Sequence, residues 1–156
     1  MSLSWDEVLY STINILSVQI DKTVLDNLTA QAQASSRLRM NMDLRNSLED
    51  WSQRMLNALE PGTVLPIHRH RTTSEVVVML RGRAVQYLYD EQGRETDAVL
   101  LAAGALDGDG VPGAVPGMTI SKGQWHKLVA LESGTVIFEA KDGPFEPLAP
   151  EDVLER

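Results

Sequence analysis

The hydrophobic and polar positions of this chain follow a helical period before residue 40 and a strand-like period after residue 62. Residues 21–36, DKTVLDNLTAQAQASS, carry an apolar stripe at helical spacing. The stripe consists of Val24, Leu25, Leu28 and Ala32. Asp21 precedes it and is a favourable N-cap, because its carboxylate can accept hydrogen bonds from the first free amides of a helix. The pattern therefore predicts a helix that begins just after Asp21.

The stretches on either side of this helix give weaker signals. Residues 14–20, NILSVQI, alternate enough to predict a short strand, and residues 37–46, RLRMNMDLRN, are predicted to be polar and irregular. Residues 51–59, WSQRMLNAL, are ambiguous, because their propensities favour a helix although their side chains also alternate at strand spacing. The Glu-Pro-Gly that follows ends this segment in either case.

After residue 62 the chain consists of short β-rich runs separated by turn residues. The runs cover residues 63–70, 74–82, 83–90, 98–104, 118–121, 127–131 and 135–143. Residues 90–93, DEQG, are typical of a hairpin connection, and many short strands at this spacing predict a sandwich or barrel. Residues 103–117 are rich in glycine and proline and predict a long surface loop. The tail from residue 143 is expected to wrap on the surface with Phe145 as its anchor.

Composition narrows the class of protein. The chain has 156 residues, which predicts one domain, and its proportions of apolar and charged residues are ordinary for a globular protein. A formal net charge of -8 disfavours phosphate backbones and anionic lipid surfaces, so neither nucleic acid nor a membrane is an expected partner. The chain has no cysteine and does not begin like a secretory signal, so we expect a cytoplasmic protein.

Four arginines are concentrated in one short part of this acidic chain. Arg69, Arg71, Arg81 and Arg83 fall within fifteen positions of each other. They could form a basic rim that attracts a small anion, although solvated arginines on strands are the more common outcome.

The three histidines carry the main chemical signal. His68 and His70 are separated by one residue, so on a strand both project from the same face. Glu75 follows, and a turn or bulge in the intervening residues 71–74 would bring Glu75, with Val77 and Met79, to the inner face. His126 lies 56 residues after His70 and follows a turn, and a neighbouring strand of a barrel could bring it to the same point.

These four side chains predict a metal site. Three neutral imidazoles and one carboxylate suit iron, manganese, nickel or zinc far better than calcium or magnesium. Four protein ligands would leave a six-coordinate metal two positions for water or substrate, which is typical of a catalytic site. We therefore expect one divalent transition metal, with His68, His70, Glu75 and His126 as its ligands, and a small-molecule partner.

The spacing of these residues resembles the first motif of the cupin family. In residues 62–82, GTVLPIHRHRTTSEVVVMLRG, the two histidines and the glutamate are bracketed by Gly62 and Gly82 at the motif's intervals. The second cupin motif is represented by SKGQWHKLVA, which keeps Gly123 and His126 but has Ser121 for the usual proline and Ala130 for the usual asparagine. The resemblance implies an all-β, cupin-type double-stranded β-helix (a jelly-roll barrel) preceded by a short helical segment.

A closer resemblance, to the WbuC-type cupin metalloproteins, covers about two-thirds of residues 18–152. It implies that residues 51–59 form a strand, that residues 1–52 pack on a barrel formed by residues 53–147, and that residues 148–156 are a tail of the same domain. It also implies a homodimer, and work on a sugar or nucleotide-sugar derivative in surface-polysaccharide metabolism. Three functions stay open: a metal-dependent enzyme, isomerase-like or an iron dioxygenase; a non-catalytic binding module; and a protein whose metal only stabilises the barrel.

Several further polar residues are candidates for contact with a ligand. Arg37, Arg39, Asn57 and Tyr87 are the candidates for substrate binding, although solvated or packing roles are more common for such residues. Gln53 and Gln86 could be inward-facing polar groups, and Trp125 is expected to pack beside the site.

Overall fold

The computed structural model describes residues 17–108 and 110–154 of the chain. In that part of the chain, one α-helix, α1 (Lys22–Ala34), precedes ten strands. The strands are β1 (Arg39–Asp43), β2 (Ser52–Leu59), β3 (Ile67–His68), β4 (Glu75–Arg81), β5 (Arg83–Tyr89), β6 (Glu95–Ala102), β7 (Gly117–Ile120), β8 (Trp125–Ala130), β9 (Thr135–Asp142) and β10 (Val153–Leu154).

The described strands form two antiparallel sheets that face each other. The first sheet has the order β1-β2-β9-β4-β7, and the second has the order β10-β3-β8-β5-β6. Side chains from both sheets meet in one apolar cluster between them, to which Val77, Leu101, Leu128 and Ile137 contribute. The mostly β architecture with a short N-terminal helical segment is thereby confirmed. The predicted division of the chain at residues 52 and 147 stays a prediction.

The helix α1 packs on the outer face of the first sheet. The Asp21 carboxylate accepts a hydrogen bond from the amide of Val24, so the predicted N-cap is confirmed. Leu28 and Ala32 are buried against Leu56 and Val136 of the sheet. The apolar stripe therefore covers the side of the sheet that faces away from the barrel interior.

Two predictions about the segments next to this helix are wrong. Residues 37–46 were predicted to be irregular, but β1 pairs with β2, with Met40 opposite Ala58 and Met42 opposite Leu56. Both methionines pack against the outer apolar cluster, which stabilises the strand. Residues 17–20 have no regular structure, although residues 14–20 were predicted to form a strand. Residues 14–16 lie outside the described part of the chain.

The ambiguous segment is a strand. β2 pairs with β1 on one side and along its whole length with β9 on the other. Of the predicted run 63–70, only Ile67–His68 is a strand, whereas β5 and β6 form the predicted hairpin around residues 90–93. The described residues of 103–116 form the predicted long loop, and Gly117 begins β7.

The tail is fastened by Asp152 and not by Phe145. Phe145 is 61% exposed, so its predicted role as an anchor is wrong. The Asp152 side chain is buried and accepts hydrogen bonds from Arg69 Nε at 2.8 Å and Arg71 Nε at 2.5 Å. β10 follows directly and pairs with β3, with Val153 opposite His68. The tail therefore holds the strand that carries the first histidine.

The other two arginines of the predicted basic rim are also paired. Arg81 Nη2 lies 2.8 Å from Asp26 Oδ1, and Arg83 contacts Glu132. All four arginines of that stretch have carboxylate partners. They form neither a free basic rim nor a set of merely solvated side chains.

Candidate metal centre

Three imidazoles come together inside one end of the barrel. His68 on β3 lies directly opposite His126 on β8, and the centres of their rings are 4.3 Å apart. The ring of His70 is 5.1 Å from that of His68 and 5.8 Å from that of His126. One ring nitrogen from each residue lies within 4.8 Å of the other two. Three nitrogens bound to one metal at about 2.1 Å lie ~3.0–3.6 Å apart, so the separations between these nitrogens would have to shorten by up to about 1–2 Å when the ion binds.

Backbone carbonyls set the orientation of two of these rings. His68 Nδ1 lies 3.1 Å from the carbonyl oxygen of Pro66, and His126 Nδ1 lies 2.8 Å from that of Gln124. A carbonyl only accepts, so in the neutral rings Nδ1 carries the proton and Nε2 keeps its lone pair. A hydrogen bond from the ring nitrogen that does not bind the metal is typical of metal-binding histidines. It leaves Nε2 of both residues available as a ligand atom.

A glycine turn ties the two histidine-bearing segments together. Gly123, in the turn before β8, has a φ of 81° and donates its amide hydrogen to the carbonyl oxygen of His70 at 2.7 Å. A side chain at this φ would be strained, which explains the glycine. The turn therefore positions His70, which lies outside any strand, relative to His126 three residues later.

Glu75 faces the imidazoles from the first sheet. Glu75, Val77 and Met79 are all buried on the inner face of β4, so the predicted reset by residues 71–74 is confirmed. Glu75 Oε1 lies 3.1 Å from His126 Nε2, and Glu75 Oε2 lies 3.4 Å from His70 Nε2. Glu75 is not part of the compact three-histidine group, but it contacts two of its members.

Three candidate ligand atoms in this cluster form no hydrogen bond with the part of the chain that the structure describes. They are Nε2 of His70, Nε2 of His126 and Oε2 of Glu75, all buried, and only the Lys141 ammonium, at 3.5 Å, approaches Oε2 as a cation. With Nδ1 of His126 protonated, two lone pairs face each other across the contact of 3.1 Å with Glu75. Such an arrangement is costly without a cation between the groups. The donor set therefore fits a divalent transition metal, which suits imidazole and carboxylate ligands.

Burial and neighbouring charges keep the ligand groups in the forms that bind a metal. Burial, together with repulsion from His126, lowers the pKa of the His68 imidazole from 6.5 to about 4, so this ring is neutral at pH 7. Burial by itself raises the pKa of the Glu75 carboxyl. The protonated forms of His126 and His70, together with Lys141, lower this pKa by more, so its net value lies below the ordinary range. Glu75 is therefore ionised.

Glu139 and Lys141 on β9 belong to the same polar network, and neither was predicted as a site residue. Lys141 Nζ lies 2.5 Å from Glu139 Oε1 and 3.5 Å from Glu75 Oε2. Burial lowers the pKa of the Lys141 ammonium, but the two carboxylates raise it by more. Glu139 Oε2 accepts a hydrogen bond from Asn57 Nδ2 at 3.0 Å. The alternation in TVIFEAKD placed Glu139 and Lys141 on one face and was the available signal.

A cavity of about 200 Å³ opens beside the cluster. His68, Glu75 and His126 line one part of it. Most of the remaining wall is apolar and includes Leu65, Val77 and Leu128. The cavity gives a small molecule access to the candidate metal ligands.

The structure brings two of the four predicted substrate-binding residues to this cavity. Arg39 and Asn57 line it, together with the Gln86 amide. Arg37 is exposed and does not line the cavity. Tyr87 alternates with the buried Gln86 on β5 and therefore points to the outer face. Neither Arg37 nor Tyr87 is placed to touch a ligand in this cavity.

Trp125 packs beside the site as expected. It is buried, and its Nε1 donates a hydrogen bond to Glu91 Oε2 at 3.2 Å. The guanidinium of Arg69 lies 4.5 Å from the centre of its ring. Gln53 is also buried, but it donates to the carbonyl oxygen of Pro144 and does not line the cavity.

Comparison with known proteins places the chain in a family. A family model described as "Domain of unknown function (DUF6016)" matches residues 20–101, which is more than half of the chain. The chain belongs to the DUF6016 family. A search of curated proteins finds no match in sequence. Within the described residues, no helix is long and apolar enough to span a bilayer.

Solved structures with the same fold include two kinds of cupin. Oxalate decarboxylase from Bacillus subtilis, an enzyme with Mn(II) centres, has a TM-score of 0.50 and 20% identity. The match covers 70% of this chain and 26% of the decarboxylase chain. CapF with the inhibitor 3-isopropenyl-tropolone has a TM-score of 0.54 and 19% identity, and the match covers 73% of this chain and 30% of the CapF chain. This chain thus spans about a quarter to a third of those proteins. The likeness confirms the cupin-type double-stranded β-helix, and at this identity it shows the fold alone.

Proposed function

We propose that this protein is a metal-binding cupin that binds or transforms a small polar molecule. His68, His70 and His126 hold one divalent transition metal (iron, manganese, nickel or zinc), and Glu75 is the fourth ligand. The observation that supports this proposal is the convergence of buried, unsatisfied ligand atoms at one point in the barrel.

A bound metal would supply Lewis-acid chemistry, by polarising a carbonyl or lowering the pKa of a bound water. The chain's own residues prepare the site for it. Pro66 and Gln124 fix the tautomers of two ligands, and Lys141 contacts Glu75 Oε2. Val77 and Leu128 supply part of an apolar wall beside the ligands.

The cavity beside the cluster favours a ligand-binding role over a purely structural one. A metal that only stabilises the barrel needs no open space next to its ligands. Here His68, Glu75 and His126 all border a cavity of about 200 Å³. We therefore favour an enzyme, with an iron-dependent dioxygenase as one form of it, and a non-catalytic binding module as the second candidate.

The narrower assignments follow from the sequence resemblance. We propose a WbuC-like cupin that acts on a sugar or nucleotide-sugar derivative in surface-polysaccharide metabolism, as a cytoplasmic homodimer. Pairing through a sheet edge would cover an exposed strand such as β7 or β6. Size-exclusion chromatography with light scattering tests the dimer, and a mass of one chain contradicts it.

Titration with Mn(II) tests the metal site. Metal-free protein is titrated while the electron paramagnetic resonance signal of free Mn(II) is followed. We expect the wild-type protein to remove one equivalent of the free signal. Glu75→Gln keeps the shape of the side chain but removes its charge, and it should weaken binding at least about tenfold.

A matched control uses a glutamate away from the cavity. Glu132→Gln changes a carboxylate that contacts Arg83 on the surface, and it should bind Mn(II) like the wild type. Equal binding by the wild type and Glu75→Gln would remove Glu75 from the site. No uptake of any of the four metals would contradict the proposal as a whole. Oxygen consumption by the Fe(II)-loaded protein with candidate sugars then separates a dioxygenase from a binding module.

A further inference from the structure

One cationic side chain of the cavity has no carboxylate partner in the described part of the chain. Arg39 lines the cavity, and among the described residues it forms no ion pair. Its Nη1 donates to the carbonyl oxygen of Val64 at 2.7 Å, which holds the side chain in place. The other arginine of the described chain without an ion pair is Arg37, which is exposed and does not line the cavity.

The position of Arg39 follows from its strand. On β1, Met40 and Met42 pack against the outer cluster below the helix, so Arg39 points to the opposite, inner face. Arg39 lies opposite Leu59, which is also part of the cavity wall. The alternation of β1 thus places the partly buried Arg39 at the wall of the cavity.

The charges around the cavity favour an anionic occupant. Glu139 is paired with Lys141, so these two charges offset each other. One metal of charge two, bound to neutral imidazoles and to Glu75, keeps one positive charge, and Arg39 adds another. A small anion would balance this excess, and a neutral molecule would not.

A buried amide points to oxygen atoms in the same occupant. Gln86 is 2% exposed and lines the cavity, and its Nε2 forms no hydrogen bond with residues 17–108 or 110–154. An unsatisfied buried donor costs free energy unless a ligand or water accepts its hydrogen bond. The amide donor and the guanidinium fork are both suited to oxygen acceptors.

We propose that this cavity binds a small organic anion, a carboxylate or a phosphate ester, with its charged oxygens on Arg39 and further oxygens on Gln86. The proposal rests on the metal site proposed above and names the chemical class of its ligand. The volume of about 200 Å³ equals the space of about seven water molecules at ~30 Å³ each. A cavity of this size encloses a single ring or a short chain, and a nucleotide would extend beyond it.

Calorimetric titration of the Mn(II)-loaded protein tests the proposal. The probes are malate and glucuronate as carboxylates, glucose 6-phosphate as a phosphate ester, and glucose as the neutral comparison. We expect at least one anion to bind about tenfold or more tightly than glucose, because charge-assisted hydrogen bonds are the strong ones. The class of anion that binds more tightly, carboxylate or phosphate ester, identifies the charged group that the cavity accepts. Equal binding of all four probes, or no binding of any anion, would overturn the proposal.

Variants of two arginines separate a binding role from general charge. Arg39→Gln should lower the affinity for the anion about tenfold. Arg37→Gln, two residues away and outside the cavity, should change this affinity less than about twofold. Arg39→Lys keeps the charge but loses the fork, so its affinity should fall between the two. An equal loss in Arg37→Gln and Arg39→Gln would show a long-range charge effect and overturn the proposal.

A second site variant covers the case in which Arg39→Gln does not fold, since Arg39 also holds the backbone at Val64. Gln86→Leu places a side chain of similar shape at this position, and it should lower the affinity for the anion about fivefold because the amide donor is lost. Unchanged anion affinity in Gln86→Leu would overturn the part assigned to this amide. The thermal midpoint of each variant shows whether it is folded.

Elemental analysis of every sample keeps this proposal separate from the metal site. Metal-loaded wild-type protein that binds none of the anions contradicts the anion site and leaves the metal site standing. Wild-type protein that takes up no metal contradicts the proposed function. If the metal-free wild-type protein still binds an anion and the Arg39→Gln variant does not, the anion site is supported independently of the metal site.

Discussion

The two halves of the candidate metal centre are held in different ways. Glu75 and His126 lie on β4 and β8, each of which has a partner strand on both sides. His68 lies on a strand of two residues, and His70 lies outside any strand. We call the first pair the central half and the second pair the tethered half of the site.

The tethered half depends on parts of the chain that are distant in sequence. β10 pairs with β3, Arg69 and Arg71 donate to Asp152, and Gly123 donates to the backbone of His70. Preorganised ligands lose less conformational freedom on binding, so they contribute more affinity. From this difference we expect the central half to set the position of the proposed metal and the tail to control how well the tethered half reaches it.

The largest expected effect comes from removing a ligand of the central half. His126→Ala should lower the affinity for Mn(II) or Zn(II) by at least about 100-fold, because loss of a ligand exceeds the effect of losing an outer-shell partner. His70→Ala should lower it less. Isothermal titration with each metal measures both. Lys127→Ala, the next residue on β8, is the matched control and should bind like the wild type. A larger loss for His70→Ala would reverse the proposed roles of the two halves.

The second effect concerns the tether itself. Asp152→Asn removes the carboxylate that Arg69 and Arg71 share and leaves Arg69 paired with Glu91, so the urea midpoint of unfolding should fall. Metal affinity should fall about tenfold, as for other residues that position ligands from a distance. Urea unfolding and metal titration measure the two quantities. Glu151→Gln, at the neighbouring exposed position, is the control. Unchanged metal affinity in Asp152→Asn would show that the tail does not act on the site.

A third effect is the pH dependence of the metal-free protein. The pKa of His68 falls from 6.5 to about 4 on folding, so the unfolded chain binds more protons between these values. The contribution of His68 to stability is therefore complete above pH 6.5 and is lost as the pH falls towards 4. Urea midpoints at several pH values measure it. His68→Gln should flatten the slope in this window, and a slope identical to that of the wild type would contradict the shifted pKa.

The smallest effect is expected far from both halves. Arg83→Gln breaks a pair with Glu132 whose side chains are 43% and 38% exposed. Such pairs contribute about 0–1 kcal/mol, so the urea midpoint should change little and the metal affinity not at all. A large loss of metal in this variant would mean that the site responds to any weakening of the barrel, and the comparison of the two halves would lose its basis.

Local patterns predicted much of the fold. The apolar stripe from Val24 to Ala32 and the N-cap at Asp21 predicted the helix because both act within a few residues. The strand β1 was missed although Met40 and Met42 alternate with polar residues. Its apolar face is covered by the helix, and five residues give a weak signal when most are charged or polar. Strands of this kind are stabilised by the partners they acquire in the fold.

In the candidate site, too, local patterns predicted some residues but not the contacts between distant parts of the chain. The spacing of His68, His70 and Glu75 marked the first part of the cluster, and the position of His126, after a turn and at the start of a β-rich run, marked the second part. Glu139 and Lys141 share one face of β9, which the local alternation indicates, but the contact of Lys141 with Glu75 on β4 forms only when the two strands pair. The anchoring of the tail by Asp152 depends on contacts more than 80 residues away, which only the folded chain brings together.

The most direct test of the metal site is the metal content of the protein purified without chelators or added metal. Inductively coupled plasma mass spectrometry on the wild type and on His126→Ala gives the ratio of metal to chain. We predict about one transition-metal ion per wild-type chain and a strongly reduced content in His126→Ala. Equal metal content in both proteins, or a wild type that stays metal-free after incubation with iron, manganese, nickel and zinc, would contradict the account.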